Sequence, residues 1–408
     1  MLPLQVNFQA LPTVGAVLLP AWMCSLLLAL SPMSAQADLV TDWNEKAFAT
    51  MATVRVSGGT TPARVLAILH SAMLNGVNAS APDRTGTSAQ AAAHSAARRV
   101  LAELYPAQKA DLDATFDMAM QKLPDGAAKS TGMTAGENAA NSLLAERKTD
   151  GFTSPDSYRP ATAPGSYIPT ALPIMSHVAG IKPFALPSVA QFRPGPPPKL
   201  DSVLWARDYN ETKAWGGTNS TLRNAWQTET ARFWEIPGPP AWNQAARSLV
   251  ASKPLSLPDS ARLFMLLNVA SFDAYMAIFD AKYHYGFWRP LTAIRNGDRD
   301  GNDNTERDAS WMPVITTPLH PEYPCAHCVV DGAAGVVMKS FFGAGPVPEF
   351  TLTYAAMPGV TRKYATIQQL EEEVSIARIW GGVHYRNSNE VGQEIGKQVG
   401  EYVLKKLQ

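Results

Sequence analysis

The chain has 408 residues, of which 46% are hydrophobic and 17% are charged. Its 35 lysines and arginines balance 35 aspartates and glutamates, so the formal net charge at pH 7 is zero. This composition excludes a disordered chain and gives no indication of nucleic-acid binding. We therefore expect a soluble globular enzyme whose partners are small molecules.

The first 37 residues are expected to form a secretory signal peptide. The apolar run 14–30 is followed by Ser-Ala-Gln-Ala-Asp at 34–38, a small-x-small pattern typical of a cleavage site. No lysine or arginine precedes the run, which leaves an uncleaved anchor as the alternative. Cleavage would give an exported protein, periplasmic or secreted, with no membrane span in the mature chain.

Apolar residues recur at helical spacing over most of the mature chain, and no alternating run predicts a strand. The predicted fold class is therefore all-α. The segment 259–283 is apolar on nearly every face, which predicts a central buried helix. The predicted helices span 61–78, 88–105, 106–122, 134–147, 205–215, 259–283, 328–342, 366–380 and 389–407.

The segment 153–200 has a different texture, with eleven prolines and no periodic stretch. A flexible linker between two domains is one interpretation, but its interspersed aromatic and aliphatic residues favour a segment that packs on the body. We therefore predict a single domain over 38–408. Its parts are an N-terminal helical layer (38–152), a proline-rich crossover (153–200) and a helical core with the functional site (201–408).

Three patterns in the last third of the chain carry cations and imidazoles. They are Lys282-x6-Arg289-Pro290, Pro324-Cys325-Ala326-His327 and Arg378-x5-His384. Each pattern alone has an ordinary structural explanation, such as pairing of Lys282 with Asp280. The set in this order indicates a pocket for phosphate or a phosphate-shaped oxyanion, because a multiply charged anion with few waters needs several converging cationic donors.

Both histidines are placed where they could take part in chemistry. His327 is predicted at a helix N-terminus, where free N–H groups and the helix dipole favour an anion, and its imidazole could transfer a proton. His384 follows a helix that Gly381 and Gly382 end just after Arg378. His384 could be a ligand to a metal oxyanion or a nucleophile toward a phosphoryl group.

These patterns resemble the vanadium-dependent haloperoxidases, whose signature is shared with type 2 phosphatidic acid phosphatases and bacterial acid phosphatases. The resemblance is to the soluble, exported bacterial branch, covers nearly the whole mature chain, and implies a helical bundle of the haloperoxidase and acid phosphatase type. Further matching segments are Thr41-Asp42-Trp43-Asn44, Phe192 to Pro198, Asp280-Ala281-Lys282-Tyr283, Phe287-Trp288-Arg289-Pro290, His320 to Pro324 and Trp380 to His384.

The resemblance implies a role for each site residue. Lys282, Arg289 and Arg378 would hold the equatorial oxygens of vanadate or phosphate, together with the backbone N–H of Ala326. His384 would be the vanadate ligand and His327 the acid-base group. The remaining members of the oxyanion-binding set are His327 and Cys325.

The implied function is that of a haloperoxidase, which oxidises halide with hydrogen peroxide at a histidine-ligated vanadate cofactor. One alternative is an acid phosphatase that works through a phosphohistidine and needs no vanadate. Another is a catalytically degenerate protein that only binds the oxyanion. A homodimer is left open.

This chain departs from the family pattern at two positions. Cys325-Ala326 replaces the usual Ser-Gly, and a thiol is a poorer hydrogen-bond donor than a hydroxyl. We expect peroxide to oxidise Cys325 or to join it to Cys328 in a disulfide. Ser388 stands where aspartate is more common; serine can still cap the last helix, but it cannot stabilise a positively charged His384, which disfavours the phosphatase. Asp273 is out of phase with Lys282 and is not assigned to the pocket.

Overall fold

The computed structural model describes residues 38–53, 61–156 and 158–407. The predicted signal peptide lies outside these residues. The predicted all-α fold is confirmed, since the described chain forms thirteen α-helices and one two-stranded hairpin. The helices are α1 (Leu39–Ala52), α2 (Thr61–Ala79), α3 (Thr87–Leu104), α4 (Lys109–Met120), α5 (Ala127–Arg147), α6 (Val203–Gly216), α7 (Ala225–Phe233), α8 (Gly238–Ser252), α9 (Leu257–Tyr285), α10 (Pro290–Arg295), α11 (Ala326–Phe342), α12 (Ile367–Trp380) and α13 (Arg386–Leu407). The strands are β1 (Phe350–Thr353) and β2 (Thr361–Tyr364), paired antiparallel.

Helix α9 is the central helix that its apolar sequence predicts. The Ser256 hydroxyl caps its start by accepting the Asp259 N–H, and Gly286 ends it in the left-handed conformation (φ 57°). By length and composition α9 could cross a membrane, but it is buried within the protein. It packs against α2 on one side and against α11 and α13 on another. Its last turn therefore ends inside the protein, where Lys282 lies.

Glycines allow α11 and α13 to pack with their backbones in contact. A Cβ atom on Gly396 would lie 2.1 Å from the carbonyl oxygen of Val329, and one on Gly332 would lie 2.3 Å from that of Gln393. Neither position can accept a larger residue without separating the helices. This close approach brings the start of α11 beside the start of α13, and the N–H of Cys325 donates to the Ser388 carbonyl (3.0 Å).

Several elements were not predicted from the sequence. Helix α7 begins at a capping box formed by Asn224 and Gln227, and α8 begins within the proline-rich stretch 237–240. Helices α1 and α10 and the β1–β2 hairpin were also missed, and α5 begins seven residues before the predicted start. Helices α7 and α10 and the two strands are short, and α8 begins at prolines, so their apolar periodicity extends over too few residues to be recognised.

Two buried acids of α9 hold the proline-rich segment on the protein. The Asp273 carboxylate accepts the backbone N–H groups of Phe184 (2.7 Å), Ala185 (2.7 Å) and Leu186 (2.9 Å). The Asp280 carboxylate accepts two hydrogen bonds from the Arg193 guanidinium, at 2.8 and 2.9 Å. Asp280 therefore pairs with the crossover and not with Lys282, and Asp273 anchors chain outside the pocket.

Asp273→Asn should lower the free energy of unfolding by about 2 to 4 kcal/mol, because the new NH2 group would face backbone donors and leave buried N–H groups unpaired. Chemical denaturation of the two proteins measures the difference. Asp201→Asn, at an exposed position, is the matched control and should change stability little. Equal stability of the Asp273 variant and the parent protein would show that these hydrogen bonds do not hold the crossover.

Candidate oxyanion site

The structure brings the side chains of two of the three sequence patterns to one buried place. Lys282 lies in the last turn of α9, and Arg289 directly precedes α10. Arg378 lies in the last turn of α12, and His384 lies in the loop between α12 and α13. These four side chains are at most 2% exposed. Cations from three helix ends therefore converge on the loop that carries His384.

Among the described residues, the hydrogen-bond acceptors of Lys282 are neutral. Its ammonium donates to the carbonyl oxygens of Pro321 (3.0 Å) and Glu322 (2.8 Å). Burial holds the pKa of Lys282 well below its usual range, and the neighbouring Arg289 charge lowers it further. An anion placed beside Lys282 would relieve both effects.

Arg289 is held rigidly by the loop that precedes α11 and by the His384 loop. Its Nε donates to the His320 carbonyl (2.9 Å), its Nη2 to His320 Nδ1 (2.9 Å) and its Nη1 to the Val383 carbonyl (2.8 Å). Burial lowers the pKa of Arg289 to about 10. Arg289 Nη1 also lies 3.1 Å from His384 Nε2, which makes direct contact between two of the sequence patterns.

Arg378 has an N–H group that no hydrogen bond among the described residues uses. Its Nη1 donates to the Trp234 carbonyl (2.6 Å), whereas its buried Nε–H has no partner among the described residues. A buried guanidinium N–H without an acceptor is costly, and an oxyanion oxygen would satisfy it. The hydrogen-bond donors of Lys282, Arg289 and Arg378 are N–H groups of cationic side chains, and such groups bind an oxyanion. The residues present therefore fit vanadate or phosphate.

His384 is held in one tautomer by a buried acid that the sequence patterns did not reveal. His384 Nδ1 lies 2.6 Å from Glu322 Oε1, and the Tyr385 N–H donates to the same oxygen (3.2 Å). Burial lowers the pKa of His384 well below its usual value, so the ring is neutral and its Nδ1–H donates to Glu322. Burial raises the pKa of Glu322 to about 7, although the charges of Lys282 and Arg289 oppose the rise. The Nε2 lone pair of His384 is therefore on the side of the ring that faces Arg289.

Ser388 has a different place from the expected one. Helix α13 begins at Arg386, so Ser388 lies within its first turn and does not cap it. Its hydroxyl lies 3.5 Å from His384 Nδ1. A carboxylate that Ser388 cannot supply reaches His384 from a distant part of the chain, because Glu322 lies beside its Nδ1.

His327 is the second residue of α11, so its own N–H and that of Ala326 have no acceptor within the helix. Its Nε2–H donates to the Ile236 carbonyl (3.1 Å), which leaves Nδ1 as an acceptor. Burial keeps the pKa of His327 low, and the charge of Arg378 lowers it further. His327 is thus a neutral ring close to the cations, and the lone pair of its Nδ1 can accept a hydrogen bond.

The two cysteines lie at the start of the same helix. Cys325 is the N-cap residue of α11, and its Sγ accepts the N–H of Cys328 (3.4 Å). Both thiols are free and fully buried. The structure therefore places Cys325 beside Ala326 and His327, where the sequence predicted a member of the oxyanion-binding set.

Glu322→Gln should weaken the binding of vanadate by about 10- to 100-fold, because the amide no longer fixes the Nδ1–H tautomer of His384 with a charged acceptor and His384 becomes a poorer ligand. Isothermal titration calorimetry measures the affinity, and thermal unfolding checks that the protein folds. Glu211→Gln, which removes a surface ion pair with Arg386, is the control and should bind normally. Unchanged affinity in the Glu322 variant would rule out a role for this carboxylate in the site.

Comparison with known proteins gives related sequences. The family model described as the VCPO second helical-bundle domain matches residues 262–408. The vanadium chloroperoxidase of Curvularia inaequalis is 29% identical over 150 residues, which are 30% of this chain and 24% of that protein. The vanadium-dependent bromoperoxidase of Corallina pilulifera is 28% identical over 97 residues, 22% of this chain and 16% of that protein. The matches thus span a quarter or less of the curated relatives.

Solved structures match over far more of the chain. A bacterial vanadium-dependent iodoperoxidase has a TM-score of 0.76 at 25% identity, over 91% of this chain and 96% of its own. A bacterial vanadium-dependent chloroperoxidase in its holo form has a TM-score of 0.70 at 17% identity, over 87% of this chain and 94% of its own, and shows the same fold. The family model, the related sequences and these structures agree with the geometry of the site: residues 262–408 resemble the second helical-bundle domain of vanadium chloroperoxidase, and the chain shares the fold of the bacterial vanadium-dependent haloperoxidase structures over most of its length.

Proposed function

We propose that this protein is a vanadate-dependent haloperoxidase, which oxidises a halide with hydrogen peroxide. The observation that carries the proposal is the neutral imidazole of His384, fixed by Glu322 so that its Nε2 faces buried cations. A neutral ring nitrogen is the form that can ligate a metal centre. The names of the related proteins support the same activity.

The residues have separate tasks in this proposal. Lys282, Arg289 and Arg378 would hold the oxygens of vanadate and balance its negative charge, with little water to weaken the attraction. His384 Nε2 would be its ligand. Bound there, vanadate would supply the Lewis-acid centre that activates hydrogen peroxide toward a halide. His327 would accept a proton from the peroxide at Nδ1 and return it later.

The substrates are small molecules, and we propose iodide as the first halide to test. Iodide is the most easily oxidised of the common halides. A structural relative that matches 91% of this chain is an iodoperoxidase. We also propose that the protein is exported, on the basis of the cleavage pattern at 34–38. The homodimer stays a prediction.

Acid phosphatase activity is the second candidate, and the position of Glu322 favours it more than the sequence did. A carboxylate that orients a histidine and stabilises its positive charge is what a nucleophilic histidine needs. Ser388 therefore no longer argues against phosphoester hydrolysis. Haloperoxidase activity remains the first proposal because the related proteins bear that name.

The purified protein should iodinate or brominate a dione probe only when vanadate is added, and His384→Ala should lower this activity at least about 100-fold by removing the ligand. Halogenation of the probe, followed by absorbance, is the measurement. His284→Ala changes an exposed histidine of α9 and should retain full activity.

The other outcomes of this assay are informative. Hydrolysis of p-nitrophenyl phosphate without vanadate, lost in His384→Ala, would replace the haloperoxidase with the phosphatase. Vanadate binding without any turnover would identify a degenerate oxyanion-binding protein.

Arg378→Lys should weaken vanadate binding by about 10- to 100-fold, because lysine lacks the planar fork that can bind two oxygens. Inorganic phosphate should compete with vanadate for the site in the parent protein, and this competition gives both affinities by calorimetry. Arg386→Lys, which changes a partly exposed arginine paired with Glu211, is the control. Equal vanadate affinity in Arg378→Lys and Arg386→Lys would place Arg378 outside the binding set.

A further inference from the structure

Cys325 and Cys328 are placed as a reactive pair at the oxyanion site. Their Sγ atoms are 2.8 Å apart, and the Cys328 thiol donates to Cys325. A disulfide needs an S–S distance of about 2.05 Å, so the sulfurs have less than about 1 Å to move. Because both side chains are fully buried, packing holds the two sulfurs together.

The two thiols differ in their readiness to react. Burial alone would raise the pKa of Cys325, but hydrogen bonds from the Cys328 thiol and N–H and the charges of Arg378 and Lys282 lower it to about 7. Burial raises the pKa of Cys328 well above its usual value, and the neighbouring Cys325 raises it further. Cys325 is therefore the thiol of the pair that ionises and reacts more readily, and Cys328 is the less acidic one.

We propose that Cys328 is a resolving cysteine: hydrogen peroxide oxidises Cys325, and Cys328 then closes a Cys325–Cys328 disulfide that protects the oxyanion site from irreversible oxidation. The biological need for this protection rests on the proposed function, because a haloperoxidase works in peroxide. Closure of the disulfide requires only the two cysteines and peroxide.

The chemistry balances without any further reactant. The Cys325 thiolate attacks one oxygen of hydrogen peroxide, the O–O bond breaks, and a sulfenic acid and hydroxide form. The Cys328 sulfur then attacks the Cys325 sulfur, the S–O bond breaks, and the Cys328 proton leaves with the departing hydroxide as water. In sum, two thiols and one hydrogen peroxide give one disulfide and two waters. The sulfurs are oxidised and the peroxide oxygens are reduced.

The state of Cys325 decides the charge of the site. A disulfide is neutral and leaves Arg378 and Lys282 free to bind an anion. Without a resolving thiol, more peroxide would convert the sulfenic acid of Cys325 to a sulfinic acid, which is irreversible and anionic. A fixed negative charge close to Lys282 and Arg378 would neutralise them and repel an oxyanion.

The test compares the full-length protein with its Cys328→Ser variant, each reduced, freed of reductant and treated with hydrogen peroxide. After alkylation and trypsin digestion, both cysteines fall in the peptide 308–339, which contains no other cysteine. In the parent protein this peptide should become about 2 Da lighter, through loss of two hydrogens, and dithiothreitol should reverse the change. In Cys328→Ser it should become about 32 Da heavier and stay so, with fragment ions placing both oxygens on Cys325 and not on Met312 or Met338.

Binding of inorganic phosphate provides a second readout. Peroxide should weaken it less than about threefold in the parent protein and at least about tenfold in Cys328→Ser, where the sulfinate repels the anion. Cys325→Ser is the matched control, because Cys328 alone should remain an alkylatable thiol after peroxide. Cys328→Ala repeats the test if the serine variant does not fold.

Two results would overturn the proposal. One is oxygen addition to Cys325 in the parent protein as readily as in the Cys328 variants. The other is a pair of thiols that peroxide leaves unchanged. Neither readout needs vanadate or halide, so a disulfide that forms in a protein without halogenating activity would refute the proposed function and leave this inference standing.

Discussion

The burial of three cations beside one another is the constraint on which the site depends. Lys282, Arg289 and Arg378 are almost inaccessible to solvent, and desolvation with mutual repulsion lowers the pKa values of Lys282 and Arg289. The fold offsets this cost with backbone carbonyl oxygens, which are dipoles and carry no net charge. Positive charge is thus stabilised enough to persist without being neutralised. A buried site whose positive charge is not neutralised has a high affinity for a compact anion of high charge.

One carboxylate close to these cations orients the ring of His384. Among the described residues the Glu322 side chain forms no ion pair with Lys282 or Arg289; it accepts the Nδ1–H of His384. The hydrogen bond fixes both the ring orientation and the tautomer, so the lone pair of Nε2 points to the other side of the ring, where Arg289 Nη1 lies. Burial and the neighbouring cations lower the pKa of His384, which favours the neutral ring that can be a ligand. The same arrangement would serve a nucleophilic histidine.

Helix packing delivers these groups to one place. The contact between α11 and α13 depends on glycines whose Cβ atoms would collide with the facing backbone. It sets the start of α11, with Cys325 and His327, against the first turn of α13 and the His384 loop that precedes it. The central helix α9 ends beneath the same loop with Lys282. The site is therefore built from helix ends, where unpaired N–H groups and loop carbonyls are available.

The sequence by itself determined the helices with long apolar periodicity, including α9, because this periodicity is a local property of the chain. It also determined the candidate cations and histidines, since few residue types can hold a phosphate-like ion. Other features depended on the tertiary structure. Glu322 lies 62 residues from His384 and the N–H groups bound by Asp273 come from 87 to 89 residues away, and no local pattern encodes such contacts. The direction of each side chain, the protonation of His384 and the contact between the two thiols were decided by packing and burial, which follow only from the folded chain.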